Sequence, residues 1–234
     1  MALLTSLVAY YSMEGNSNDA TGNGNNGTDT TISYNTSYGK ILQGALFNGS
    51  SSNIFLSTLH PNTAADFSVS VWANLSSSAS TAAYRGIFSN RHTSSGAADN
   101  NTNGWIELGT EGNLNHLTLE YGGGTLIDSG VTVNDDNFHH YVVIYTASNT
   151  TLSLYMDNSL VSAVNVGANK TGDTNHYFML GVWDGLTQVW LGDIDEVGLW
   201  SRALTSIEVT SLYNGGAGLP YPLVPSSGNF NIFF

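Results

Sequence analysis

The chain has 234 residues, 41% of them hydrophobic and only 10% charged, with 18 Asp and Glu against 5 Lys and Arg and a net charge of −13. Its length fits one large all-β domain or two small ones, and its 12 Tyr, 9 Phe and 5 Trp exclude intrinsic disorder, which pairs low hydrophobicity with dense charge. The acidic balance makes nucleic acid and anionic membrane poor partners, no stretch approaches the roughly 20 apolar residues of a membrane-crossing helix, and with no cysteine a metal site would have to be oxygen-ligated.

The opening residues 1–10 carry no basic leader and run straight into an apolar stretch, so they read as a first strand and not as an export signal. An Asn/Gly-rich loop follows, with the turn-forming pairs Asn23-Gly24 and Asn26-Gly27, and Asn48-Gly49 marks a further turn. Phe67, Val69, Val71 and Ala73 alternate with Ser68, Ser70 and Trp72, the period-two signature of a strand. Between Asn90 and Trp105 lies a polar stretch, including Asn103-Gly104, longer than an ordinary hairpin connection, and such length marks a functional loop. After Gly122-Gly123-Gly124, alternation returns in 141–145, 152–156, 160–166, 177–181 and 188–200. Asp157-Asn158 can take the positive φ angles of a tight hairpin turn. Short strands joined by Gly/Asn turns predict two packed antiparallel sheets. One helix is expected after Thr205, which can cap it while Glu208 reaches back to the cap's N–H, with Leu204 and Val209 as a hydrophobic staple and Asn214-Gly215-Gly216 as the stop. The final residues 219–234 read as a tail, stiff and extended through Pro220, Pro222 and Pro225 and ending in aromatics.

The run from Leu7 to Gly27 resembles the start of laminin-G-like, concanavalin A-like jelly-roll domains, and Gly44–Gly49, Phe67–Trp72, Phe138–Val142 and Gly192–Leu204 resemble their later landmarks in the same order. The resemblance covers roughly residues 5–215 and implies an all-β, two-sheet antiparallel jelly-roll sandwich with one short C-terminal helix, assigned to 1–218 with 219–234 as the tail. It also implies glycan or protein binding, and in many members a metal.

Calcium takes six to eight oxygen ligands. Asp19, with Asn16 from the same loop, and Asp195, with Asp193 two residues before it, are the candidates, because the first and last strands are neighbours in the resembling domains. Glu196 is the weaker choice, since strict alternation turns it to the opposite face from Asp193 and Asp195. A glycan site needs aromatic surfaces beside hydrogen-bonding groups. The candidates are Trp105, Trp183 and Asp184, with Arg85, Arg91, His92 and Asn101 from a loop spanning 84–104, whereas Trp72, Trp190 and Trp200 lie in strands and belong to the core.

No catalytic residues are expected. The carboxylate spacing of the related laminarinase-type glucanases is absent, Glu107, Glu111 and Glu120 look scattered among strands and turns, and His139 and His140 point to opposite faces, one of them into the core. The sequence therefore predicts a non-catalytic recognition domain on a virus particle, of the phage type, decorating a capsid or fibre and holding host-surface glycans. Its partners would be other virion proteins or a second copy of the chain, reached through the tail. The alternatives are a purely structural decoration protein that binds no sugar, and an extracellular adhesin or glycosidase-associated carbohydrate-binding module.

Overall fold

The computed structural model describes residues 2–59, 65–81, 83–92, 105–112, 115–122, 125–167, 176–183, 186 and 188–224. The strands among them are β1 (Leu7–Tyr11), β2 (Thr28–Thr30), β3 (Ser33–Asn35), β4 (Gly44–Asn48), β5 (Asn53–Leu56), β6 (Phe67–Ala73), β7 (Arg85–His92), β8 (Ile106–Glu111), β9 (His116–Tyr121), β10 (Thr125–Thr132), β11 (His139–Thr146), β12 (Thr151–Met156), β13 (Ser159–Asn165), β14 (Tyr177–Leu180) and β15 (Leu191–Trp200), followed by helix α1 (Ser206–Tyr213). Sheet A runs β13-β12-β11-β6-β15-β4-β3, with β1 also paired to β15, and sheet B runs β10-β9-β8-β7-β14-β5-β2. All these pairings are antiparallel. The expected two-sheet sandwich is thus present, with its first and last strands side by side.

Alternation decides which residues enter the core between the sheets. Phe67, Val69, Val71 and Ala73 of β6 pack there with Phe47, Phe88, Leu119, Tyr145 and Trp190. Ser68 and Ser70 point outward, Ser68 binding the Arg202 carbonyl and Ser70 the His140 ring, and Trp72 stacks on His140 at 5.0 Å. Asp157 and Asn158 take φ of 48° and 66° and turn β12 into β13 as expected.

Sheet A carries a second apolar layer on its outer side. Tyr10, Val142, Ile144 and Trp200 project from the strands and are covered by Leu204, Val209 and Leu212 of the helical segment and by Leu219 and Leu223. The helix begins as predicted, with Thr205 accepting from the Glu208 backbone N–H while the Glu208 carboxylate accepts from the Thr205 N–H. Its left-handed stop falls on Asn214, at φ 50°, with Gly215 and Gly216 continuing in positive φ. His140, sealed under this layer, has its pKa pushed down to about 3, chiefly by burial. It is the buried histidine of the pair, but on the outer side of sheet A beneath the helix and not between the sheets, whereas His139 is bonded to Asp157 at 2.6 Å and to Asp135, contacts that raise its pKa.

Two expectations change here. The segment from Leu219 is not an extended tail: Leu223 N–H closes a turn on the Pro220 carbonyl, and burial of Leu219 and Leu223 against Tyr10 and Trp200 keeps the chain packing past residue 218. The aromatics of 228–234 lie outside the described residues. Glu196 does not face away from Asp195, because β15 bulges there: Glu196 has φ 51°, and Ile194 and Val197 both enter the core, so Asp195 and Glu196 both turn outward.

Candidate functional site

The outer face of sheet B bears no apolar layer like that of sheet A among the described residues. In β8 and β9, inward Ile106, Leu108, Leu117, Leu119 and Tyr121 belong to the core, which turns Glu107, Gly109 and Glu111 of β8 and His116, Thr118 and Glu120 of β9 outward. Strand register then gathers what looked scattered in sequence. Ser89, Glu107 and Glu120 stand in one row across β7, β8 and β9, and Glu111 is paired with His116.

Side-chain bonds link this file. Ser89 Oγ donates to Glu107 Oε1 at 2.8 Å, Arg91 Nη1 reaches Glu107 Oε2 at 3.5 Å, Tyr84 OH donates to Glu111 at 3.2 Å, and His116 Nδ1 meets Asp128 at 3.1 Å. The Arg91 guanidinium also lies 4.7 Å from the Trp105 ring. The Glu111 carboxylate beside Tyr84 raises that phenol's pKa.

Toward β14 and β5 the same face becomes apolar. Met179 is in register with both Ser89 and Phe55, and the Phe55 and Tyr177 rings, each half-buried, lie 5.4 Å apart. Val182 and Val189 pack with Met179 and Phe55. Residue 86 must be glycine for this arrangement, since a Cβ there would fall 1.9 Å from the Val182 carbonyl. The chain segment ending at Trp183 can therefore lie against β7.

Of the expected ligand residues, Arg91, Trp105 and Trp183 come to this face or its margin, but in other roles. Trp105 and Trp183 are only 6% and 3% exposed, whereas Tyr84, 6.2 Å from Trp183, is 38% exposed. The indoles form the wall and Tyr84 presents the open ring. Arg85, Arg91 and His92 belong to strand β7 and not to a loop, because the Gly86-Ile87-Phe88 run pairs with β8. Arg85 is buried and donates to the Val189 carbonyl at 3.1 Å, so it points away from any ligand. Asn101 and Asp184 lie outside the described residues. Sequence reasoning missed Phe55, Tyr177, Ser89 and the glutamate file. The signal was the alternation in Ile106–Glu111 and His116–Tyr121, which placed every acidic residue of these strands on one side.

The calcium candidates do not assemble a common cradle. Asp19 Oδ1 accepts from Tyr10 N, Thr21 N and Thr21 Oγ1, and Oδ2 from Asn25 N and Nδ2. Burial pushes this carboxyl up, but these bonds outweigh it and hold the pKa below the usual value. Asp195 Oδ2 accepts from Lys40 N at 2.8 Å and Ile41 N at 2.9 Å, and Oδ1 from Glu196 N. Asp193 faces Asn74 at 2.8 Å, and Asn16 is exposed and bonded within its own loop. Both oxygens of Asp19 and of Asp195 accept from N–H or O–H donors, only Asp193 Oδ1 is left without a hydrogen bond, and no group of three or more His, Asp or Glu suited to a metal occurs among the described residues. The arrangement of these residues does not fit a shared calcium ion.

What the acidic residues of β15 do instead is lock the chain's ends. Tyr10 OH donates to the Glu196 carboxylate, tying β1 to the β15 bulge. Burial pushes Asp195 up to about 7, and burial with the nearby Asp195 charge pushes Glu196 up to about 8.

A cavity of about 390 Å³ opens elsewhere, lined by Val8, Asn25, Leu59, Asp66, Phe67, Ser68 and Leu199 among others. Its polar side chains are spent on the fold: Asp66 on Ala147 N, Asn25 on Val8 O, and Ser68 on Leu204 N.

Comparison with known proteins agrees with this architecture. The family described as the concanavalin A-like lectin/glucanases superfamily, of laminin-G type, matches residues 48–210, and the chain belongs to it. Among solved structures, domain 4 of AbnA, a GH43 extracellular arabinanase from Geobacillus stearothermophilus, in complex with arabinotriose, is similar at 26% identity and a TM-score of 0.68, over 88% of this chain and 97% of that one. The binding domain of Paraclostridial Mosquitocidal Protein 1 is similar at 15% identity and a TM-score of 0.71, over 91% of this chain and 52% of that one. The CBM40 of a Ruminococcus gnavus IT-sialidase, bound to α2,3 sialyllactose, is similar at 14% identity and a TM-score of 0.55, over 70% of this chain and 93% of that one. These last two share the fold alone. No curated protein matches.

Proposed function

We propose that this chain is a non-catalytic carbohydrate-binding domain whose ligand lies across the outer face of sheet B. The observation that carries the reading is the junction on that face of an apolar strip, Phe55 and Tyr177 over the buried Met179, with a polar file, Arg91, Glu111 and Glu120, braced by the buried Ser89 and Glu107. A sugar has the same two aspects, an apolar ring face and a rim of hydroxyls. The similarity to an arabinanase domain complexed with arabinotriose supports it. The test is titration calorimetry with a panel of oligosaccharides that includes arabinotriose. Saturable binding that weakens in Tyr177→Ala and Arg91→Ala is expected; a blank panel, or binding undiminished in the doubly substituted protein, would overturn the reading.

One observation favours a second reading, glycoside hydrolysis. Glu107 and Glu120 are directly opposed on neighbouring strands, where Cβ atoms stand about 5 Å apart, and a retaining glycosidase needs two carboxyls at about that separation. Against it, Glu107 is wholly buried, with one oxygen on Ser89 and the other on Arg91, so it is held as a structural anion. Release of reducing ends from arabinan, abolished by Glu107→Gln, would establish the second reading.

Attachment to a virus particle and self-association, expected from the sequence through residues 219–234, find no support in these comparisons, and 225–234 lie outside the described residues.

A further inference from the structure

We infer that the outer face of sheet B selects uncharged glycans and rejects those bearing carboxylates, such as sialylated or uronic-acid oligosaccharides; this rests on the carbohydrate-binding reading above. The chain has five cationic side chains, Lys40, Arg85, Arg91, Lys170 and Arg202. Lys40 sits 4.3 Å over Trp72, on the outer side of sheet A, and Arg202 is bonded to Glu208 of the helix. Arg85 is buried against the Val189 carbonyl, and Lys170 lies outside the described residues. Arg91 is therefore the cation that the described structure places on this face, and it is already engaged by Glu107 and the Trp105 ring.

Along the same face stand Glu111 and Glu120, half-buried, and the exposed Asp128, which holds the His116 ring, while Glu107 is buried beside Arg91. An ionised carboxylate only accepts hydrogen bonds. A face rich in such groups suits a ligand rich in O–H donors, which is what an uncharged sugar presents. A sugar carboxylate is mismatched twice, since it adds an acceptor where donors are needed and a negative charge beside others. To be held it would need a guanidinium fork, and the Arg91 guanidinium is already engaged by the buried Glu107 carboxylate and lies against the Trp105 ring.

The test measures binding of arabinotriose, lactose and 3′-sialyllactose to the whole chain, at salt from about 0.01 M to about 1 M, over which the screening length falls from about 30 Å to about 3 Å. The expected result is binding of an uncharged oligosaccharide, with sialyllactose weaker than lactose by at least about tenfold at low salt, equivalent to about 1.4 kcal/mol, and the gap closing as salt rises. Glu111→Gln with Asp128→Asn should narrow the lactose-to-sialyllactose ratio. Sialyllactose binding as tightly as lactose or tighter would overturn the selectivity while leaving carbohydrate binding intact. Failure of all three sugars would remove the proposed function and the selectivity with it.

Discussion

The outer faces of the two sheets have been treated in opposite ways. Sheet A turns Tyr10, Val142, Ile144 and Trp200 outward and covers them with the chain's own helix and the 219–223 turn. Sheet B turns Glu111, Glu120 and the rings of Phe55 and Tyr177 outward, half-buried, with only Val182 and Val189 among the described residues packed on the strip, over Met179. An apolar outer face needs a cover, and this chain supplies one; a face of charged and hydrogen-bonding groups beside an apolar strip is what a polar ligand can occupy. The contrast separates a face that the chain closes itself from the face on which the proposed ligand would lie.

The contrast can be broken by substitutions on either side. The largest effect is expected from Trp200→Ala, which empties the middle of the sheet A cover and removes the indole bond to the Leu3 carbonyl. A loss of about 3–5 kcal/mol in chemical denaturation is the prediction, and a loss under about 1 kcal/mol would show that the cover is not integral to the fold. Next, Arg91→Ala should weaken binding of the preferred oligosaccharide by tenfold or more, since bonds to charged groups contribute about 1.5–3 kcal/mol. Calorimetry checks this, run well below the denaturation midpoint, which loss of the Arg91–Glu107 contact should lower. Thr205→Ala removes the helix cap and should cost about 1 kcal/mol, read as a lowered denaturation midpoint without loss of sugar affinity.

The buried carboxyls of β15 give a smaller, pH-dependent effect. In the folded chain Asp195 titrates near 7 and Glu196 near 8, whereas an unfolded carboxyl titrates at about 4. Between those limits the folded state holds protons that the unfolded state has released, so this contribution is full below about pH 4 and is lost as pH rises to about 8. His140, lowered to about 3, works in the other direction below about pH 6.5, so the test is differential. Glu196→Gln should flatten the decline in Tm between about pH 6.5 and about pH 8 relative to the parent chain; an unchanged slope would contradict the assignment. Least of all, added calcium should leave Tm unmoved, because the oxygens of Asp19 and Asp195 already accept backbone N–H bonds.

Much of the fold was legible because its rules are local. The alternation of 67–73, the Asp157-Asn158 turn and the Thr205/Glu208 capping box each need only a few neighbouring residues, and each appears where expected. The site was less legible because register is not local. Glu107 and Glu120 are 13 positions apart in sequence but opposite in space, and only the pairing of β8 with β9 makes them neighbours. Trp105 and Trp183 reach the margin of this face but are buried, because Arg91 and Tyr84 from another strand and its approach stand beside their rings. Glu196 was misjudged because one bulge breaks the alternation that set it on the opposite face from Asp195.

The most direct test of the account is mapping amide chemical shifts on the isotopically labelled chain as an uncharged oligosaccharide is added. The account predicts changes concentrated on β7, β8 and β9 and at Tyr84, Phe55 and Tyr177, with the sheet A cover silent. Changes concentrated instead on Trp200, Leu212 and Leu223, or around the cavity beside Asp66, would contradict it.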